Sequence, residues 1–487
     1  MRVEFLWIAG GRAVVALLGL GSLRVMTHLL DPAQYAVLAL LGVFQAFAGL
    51  VLINPLGQYI NRHTHQWHDD GSLPDRMSAF SRYWLVSALL TGAISSVWFR
   101  FRPGASAGPD WLIAGTVVAL ATYVMTWSVV ATARLNMLGE RRSSVSWQVI
   151  GAAVGLCASW ALTIWHTAAI CWLAGQVVGA VVAGAGAERA LARVKRPTAS
   201  TGGHSSVWRL ISSADFRKFA LPLAVTTLLM WVEGSGYRLI LERGWSLEDF
   251  GLFALALGVA MQLTAFMENI AIQWVFPYFF RGLNDASDEA ARQQVLCLML
   301  NTLLPVYLAW GSFLFLGTRP FLELVTDPRY HAAGQWVVFG VMAELARLSV
   351  GLWLLSAQAK KNFESAVVPS MLSAVLVVVA AATTWHGVSP TIFGILLVAT
   401  LALKSCLVYV PMTRIVPISL EPRRTAVFLG LLLASAAVST AVPEGMRLGG
   451  DLALLSSAAL VLGVAVLAHL RTSASAKALF SHRLASD

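Results

Sequence analysis

Runs of about twenty apolar residues recur from one end of the chain to the other, and they restrict what it can fold into. In hydrocarbon every backbone N–H and C=O must find its partner without water, which leaves α-helices or a closed barrel. A barrel would be written as strands of roughly ten residues with alternating polarity. The runs here are longer and do not alternate, so they predict helices. Composition agrees: of 487 residues, 57% are hydrophobic and 12% charged, against roughly 25% charged in a soluble domain. So few charges cannot cover a water-facing surface of this size.

The first run, from about Val3 to Met26, is too long for the core of a cleavable leader and reads as a first span. Further spans are predicted near 36–59, 83–99, 111–132, 147–164, 169–187, 219–240, 251–276, 295–317, 333–356, 366–384, 390–411, 425–442 and 451–470. The fold class is an all-α polytopic membrane protein of about fourteen transmembrane helices. Cys157, Cys171, Cys297 and Cys406 all fall within spans and read as small buried apolar residues, not as disulfides or metal ligands.

Basic residues set the expected orientation. With the amino terminus inside, the cytoplasmic segments hold 24 Lys and Arg and the outer segments 8. Arg141-Arg142, the stretch Arg189 to Lys218, Lys360-Lys361 and Arg423-Arg424 make most of that difference. Both termini are therefore expected in the cytoplasm. The net charge of +10 is then a topology signal, and nucleic acid is not an expected partner.

Residues 188–218 are polar, with Pro197, Gly202 and Gly203, and read as a cytoplasmic linker. They would separate an N-terminal lobe (1–187) from a C-terminal lobe (219–411). Residues 412–487 would add two helices and a tail. The two lobes carry traces of a duplication. At an offset of 215, Tyr35 falls on Phe250, Asn54 on Asn269 and Gln58 on Gln273; Arg24 pairs with Arg238 one insertion earlier. Six helices per copy would make the lobes pseudo-symmetric and parallel, about an axis along the membrane normal.

Ionisable groups at bilayer depth are costly unless they meet a partner or line a water-filled cavity. At about 1.5 Å per residue, Arg12, Glu344, Arg347 and Lys404 fall near the midplane. Glu344 and Arg347 are three apart and can neutralise each other on one helix. Arg12 and Lys404 have no such neighbour and favour a cationic cavity. Arg24 and Arg238 sit near the outer interface, where arginines also snorkel. Asn54 and Gln58 share a helical face, as do Asn269 and Gln273. Such amides either bond neighbouring helices or line the path of a polyhydroxylated substrate. Glu233 and Glu268 are candidates for coupling by a proton or cation. The group His63, His65, His68, Asp69 and Asp70 has the composition of a metal site but not helical ligand spacing, and reads as a solvated loop. No catalytic signature, metal site or cofactor motif is present in the sequence, so none is expected and the chain is not expected to be an enzyme.

The segment Arg24-Val-Met-Thr-His-Leu-Leu-Asp31-Pro32-Ala-Gln-Tyr35 resembles the short outer turn of polysaccharide flippases. Those flippases, O-antigen flippases among them, belong to the multidrug/oligosaccharidyl-lipid/polysaccharide exporter superfamily. The pattern recurs from Arg238 to Leu255, around Glu248-Asp249-Phe250-Gly251, with Leu247 where the first copy has Pro32. The basic turn from Arg134 through Gly139 to Arg141-Arg142 is similar to the family's entry into its fifth helix. The resemblance implies two six-helix lobes rocking around a central cavity. It implies movement of an undecaprenyl-diphosphate-linked oligosaccharide to the outer leaflet of a bacterial inner membrane. The product would be exported polysaccharide such as lipopolysaccharide or exopolysaccharide, with other polysaccharide-assembly proteins as possible partners alongside membrane lipid. Cavity candidates are then Arg12, Arg24, Arg238, Arg347, Lys404, Asn54, Gln58, Asn269 and Gln273. A multidrug exporter of the same fold would favour acidic cavity residues. A membrane polymerase or glycosyltransferase would need a large outer loop or a soluble domain, and the longest outer loop, about 318–332, is small.

Overall fold

The computed structural model describes residues 2–69, 71–102, 110–194, 214–360, 364–441 and 448–481. Among them there is no strand, and fourteen long helical segments follow one another, α1–α14. The first seven are α1 (Arg2–Leu29), α2 (Pro32–Phe47 continued by Asn54–Asp69), α3 (Leu73–Arg100), α4 (Asp110–Met137), α5 (Arg141–Trp165), α6 (Ala169–Leu191) and α7 (Ala214–Trp231 continued by Arg238–Gly244). The rest are α8 (Leu247–Trp274), α9 (Glu289–Val325), α10 (Val337–Lys360), α11 (Glu364–Ala382), α12 (Pro390–Ile415), α13 (Pro422–Ala441) and α14 (Leu448–Thr472). Each overlaps one predicted span. Ten are individually long and apolar enough to cross a bilayer, with α1, α3, α7 and α13 completing the set.

Several helices start where the sequence supplies both a cap and a proline. Asp31 accepts from the Gln34 N–H at 2.7 Å, with Pro32 in the first turn of α2. Ser389 and Pro390 open α12 in the same way, the serine hydroxyl accepting from the Ile392 N–H at 3.4 Å. The serine or aspartate satisfies an orphan N–H, and proline has none to satisfy.

Most helices run past their apolar limits. α9 is 37 residues long and takes up much of the predicted outer loop at 318–332, and a 3-10 helix, Pro328–Trp336, takes up most of the remainder. α2 continues to Asp69, so the predicted solvated loop at His63–Asp69 is helical instead. Trp67 explains this: it is buried against Phe80, with Arg76 over its ring at 5.0 Å, and so fastens the extension to α3. The cysteines also differ from expectation. All four are free thiols, but Cys157 and Cys406 are exposed, because an apolar thiol needs no protein cover where the neighbour is lipid.

Among the described residues two helices contain π-helical turns. In α2 the turn is Ala48–Ile53, separated from Pro55 by Asn54 alone. Proline lacks an N–H and its ring crowds the carbonyl four residues back, which widening the turn relieves. The Asn54 N–H accordingly donates to Gly49 O, five residues back. In α7 the turn is Val232–Gly236, which includes Gly234 and Gly236, and the Tyr237 N–H donates to Val232 O at 3.3 Å.

Chain contacts define two compact units, Met1–Gly251 and Leu252–Asp487. The division falls early in α8, and α7 packs on α2 and its π turn. Residues 195–213 of the linker expected at 188–218 lie outside the described residues. In the first unit, α5 and α6 pack most intimately, through Gly151-x3-Gly155 and Gly175-x3-Gly179. A methyl at Gly175 would lie 2.2 Å from Ser159 N, a backbone atom that cannot yield. Without a hydrophobic drive between helices in lipid, such close backbone contact is what holds them. Gly175→Ala is expected to cost about 1–3 kcal/mol through overpacking, read as a lowered unfolding midpoint in detergent. Gly21→Ala, whose added methyl meets nothing within 4 Å, should leave it unchanged.

Candidate functional site

A cluster of charge in the second unit joins α8 to α10. Glu344 and Arg347 are one turn apart on α10, and Arg347 Nε donates to Glu344 Oε2 at 2.9 Å. The same guanidinium reaches Glu268 on α8 with two parallel bonds, Nη1 to Oε1 at 3.1 Å and Nη2 to Oε2 at 2.7 Å. Arginine suits this position because its planar fork can serve two carboxylates at once. The triad carries one net negative charge. Arg347 is 42% exposed and Glu268 31%. Gly340, two turns before Arg347, lets the two helices approach: a methyl there would lie 3.0 Å from Ala260 Cβ and Leu257 Cα.

Sequence reasoning placed Arg347 among the cations for a substrate and Glu268 among the coupling acids. The structure brings the two together, so Arg347 already holds two anionic partners. The local pair Glu344–Arg347 was legible from spacing; the bridge to Glu268, 79 positions away, was not.

Lys404, the other cation of this unit expected near the midplane, is buried on α12 at 7% exposure. Its neighbour Ser405 accepts from Trp353 Nε1 on α10 at 3.1 Å. The side chains of Asn269 and Gln273 lie outside the described residues, as does that of Arg12 in the first unit.

In the first unit Arg24 is exposed on α1 and Arg238 half-buried on α7. Glu233 is buried within the π turn of α7. Asn54 and Gln58 share a face as expected, and Gln58 Nε2 donates to Asn54 Oδ1 at 3.3 Å. That bond satisfies one group of each along their own helix.

A second charged cluster was missed. Glu242, near the end of α7, has a side chain only 2% exposed and is ion-paired with Arg102, just beyond α3. It also accepts from Trp98 Nε1 at 3.0 Å, while the Arg243 guanidinium lies over the Trp98 ring at 4.8 Å. The available signal was an acid flanked by Arg243 at the end of an apolar run, with Trp98, Arg100 and Arg102 at the end of another. Among the described residues no group of three or more His, Cys, Asp or Glu could hold a metal ion.

No family model matches the chain, and no curated protein matches it. Solved structures do. The lipid II flippase MurJ, in an inward closed conformation, superposes with a TM-score of 0.69 at 10% identity, covering 97% of this chain and 99% of that one. An inward-facing multidrug resistance MATE family transporter of the MOP superfamily gives 0.57 at 14% identity, covering 85% and 95%. The eukaryotic MATE transporter AtDTX14 gives 0.56 at 11% identity, covering 90% and 98%. The likeness is one of fold: a multi-pass helical membrane protein with the architecture of MOP superfamily transporters.

Proposed function

We propose that the chain is a flippase that moves an undecaprenyl-diphosphate-linked oligosaccharide from the inner to the outer leaflet by alternating access. It would work in a bacterial inner membrane with both termini in the cytoplasm, supplying lipid-linked units for a cell-surface polysaccharide. The observation that carries the reading is the likeness to the lipid II flippase along nearly the whole of both chains. That flippase covers 97% of this chain and the inward-facing MATE transporter 85%. On this reading α1–α6 and α7–α12 are the two lobes, and α13–α14 are additional.

The physics suits such a cargo. A diphosphate of charge near −2 must be held at low dielectric by cations, and Arg12, Arg24, Arg238 and Lys404 are the candidates. Arg347 would join them only by leaving its carboxylates. Asn54, Gln58, Asn269 and Gln273 are candidates for sugar hydroxyls, and Glu233 and Glu268 for coupling. Outward movement of two negative charges runs with an inside-negative potential, which contributes about 4–5 kcal/mol per 100 mV.

One observation favours a second reading. Two carboxylates around one guanidinium present net negative charge, which suits the export of organic cations by a multidrug transporter. Proteoliposomes separate the two readings. A fluorescent undecaprenyl-diphosphate oligosaccharide should become accessible to an impermeant quencher on the far leaflet, faster when the receiving side is made positive. Failure to move it, together with export of ethidium against its gradient, would replace the flippase by the exporter.

A further inference from the structure

Within the packing of α7 on α2, one side chain touches both π turns of the first unit. Trp231 is the last α-helical residue before the π turn of α7. Its Nε1 donates to Val43 O at 3.0 Å, and its ring meets Phe47 edge-on with centroids 5.1 Å apart. Val43 and Phe47 are one turn apart at the end of the first segment of α2, directly before its π turn. The same indole covers Gly236 in its own turn, where an added methyl would lie 2.9 Å from the ring. Trp231 thus touches the flank of one π turn and the interior of the other.

What surrounds this link is fastened elsewhere. The Tyr83 hydroxyl donates to Leu52 O, within the α2 turn, at 2.8 Å and ties it to α3. Glu242 ties the outer segment of α7 to the end of the same helix through Trp98 and Arg102. A π turn holds one residue more per ladder bond than an α turn, and its loosened rungs are natural points of bending. With the outer segment of α7 held by α3, a bend at Val232–Gly236 would move the inner segment and carry the Trp231 indole with it.

We infer that Trp231 is a positioning residue that couples the two π turns, so that α2 and α7 bend together. The coupling is a property of the first unit, independent of the cargo; only its transport readout rests on the flippase reading.

Hydrogen exchange by mass spectrometry on the purified full chain tests it. Gly236→Ala drives a methyl against the indole, and exchange should rise in peptides covering Val232–Gly236 and also in those covering Ala48–Ile53. The expected rise in the second set is about fivefold, the effect of losing one neutral hydrogen bond on a local opening equilibrium. In a Trp231→Ala background, Gly236→Ala should leave Ala48–Ile53 unaffected. Gly234→Ala, whose methyl meets nothing within 4 Å, is the control that should not reach α2. A response to Gly236→Ala confined to Val232–Gly236 would overturn the coupling. Should Gly236→Ala not fold, Trp231→Phe, which keeps the ring and removes the N–H, takes its place. It should loosen both turns and lower turnover while leaving substrate affinity intact. Unchanged exchange in Ala48–Ile53 would again overturn the proposal.

Discussion

Arg347→Met is expected to destabilise the second unit by about 2–3 kcal/mol. Removing one partner of a buried ion pair costs about 3–5 kcal/mol, and the partial exposure of Arg347 screens it and lowers the figure. The loss arises less from three missing hydrogen bonds than from what remains. Glu268 and Glu344 would be two carboxylates at bilayer depth with their shared cation gone. The triple variant Arg347→Met, Glu268→Gln, Glu344→Gln removes all three charges and should recover most of the stability, because a neutral replacement of a buried charge cluster is often close to neutral. Unfolding midpoints of the purified single and triple variants check this. If Arg347→Met unfolds like the parent protein, the triad is a solvated surface contact and does not tie α8 to α10. Turnover separates a second role: if the triad is only a brace, the triple variant should transport as the parent does, and loss of transport in a stable triple variant would place the charges in the cycle.

How far such a site could be seen in the sequence depended on the range of the interactions involved. Helix positions follow from apolar length, a local property, and all fourteen segments were legible for that reason. Their ends were less so. The apolar count stops α2 near residue 59, yet Trp67 packing on Phe80 carries the helix to Asp69. Partners three or four residues apart were equally accessible, as Glu344–Arg347 and Asn54–Gln58 show. Partners on different helices were not. Glu268 and Arg347 were each singled out for depth and charge, but nothing in one sequence says that α8 and α10 are neighbours. The π turn of α2 had a visible cause in Pro55, whereas that of α7 had only Gly234 and Gly236, which are as compatible with tight packing. Glu242 escaped notice because an acid beside an arginine at the end of a span looks like solvated interface, and only the tertiary fold shows its side chain to be 2% exposed.

That burial makes Glu242→Ala the second large expected effect, a loss of about 3–5 kcal/mol in the first unit. The carboxylate is the counter-ion of Arg102, itself 14% exposed, and the acceptor for the Trp98 indole. Without it a guanidinium and an N–H are left together in a half-buried site, each bearing part of the cost of an unmet polar group. Two variants separate these contributions. Glu242→Gln keeps an oxygen for Trp98 but removes the charge, and should fall between the parent and Glu242→Ala. Trp98→Phe keeps the charge pair, removes one donor to a charged acceptor and weakens the Arg243 contact, and should cost about 1.5–3 kcal/mol. The order Glu242→Ala, then Glu242→Gln, then the parent, in unfolding midpoint from lowest to highest, is the result that supports a charge-dependent latch. Equal midpoints for Glu242→Gln and the parent would reduce the latch to a hydrogen bond. The latch also bears on motion. Because it holds only the short segment of α7 beyond the π turn, its loss should free that segment from α3. Exchange in peptides covering Arg238–Gly244 should then rise before exchange in Ala214–Trp231, and the reverse order would show that the fixed end of α7 is its first segment.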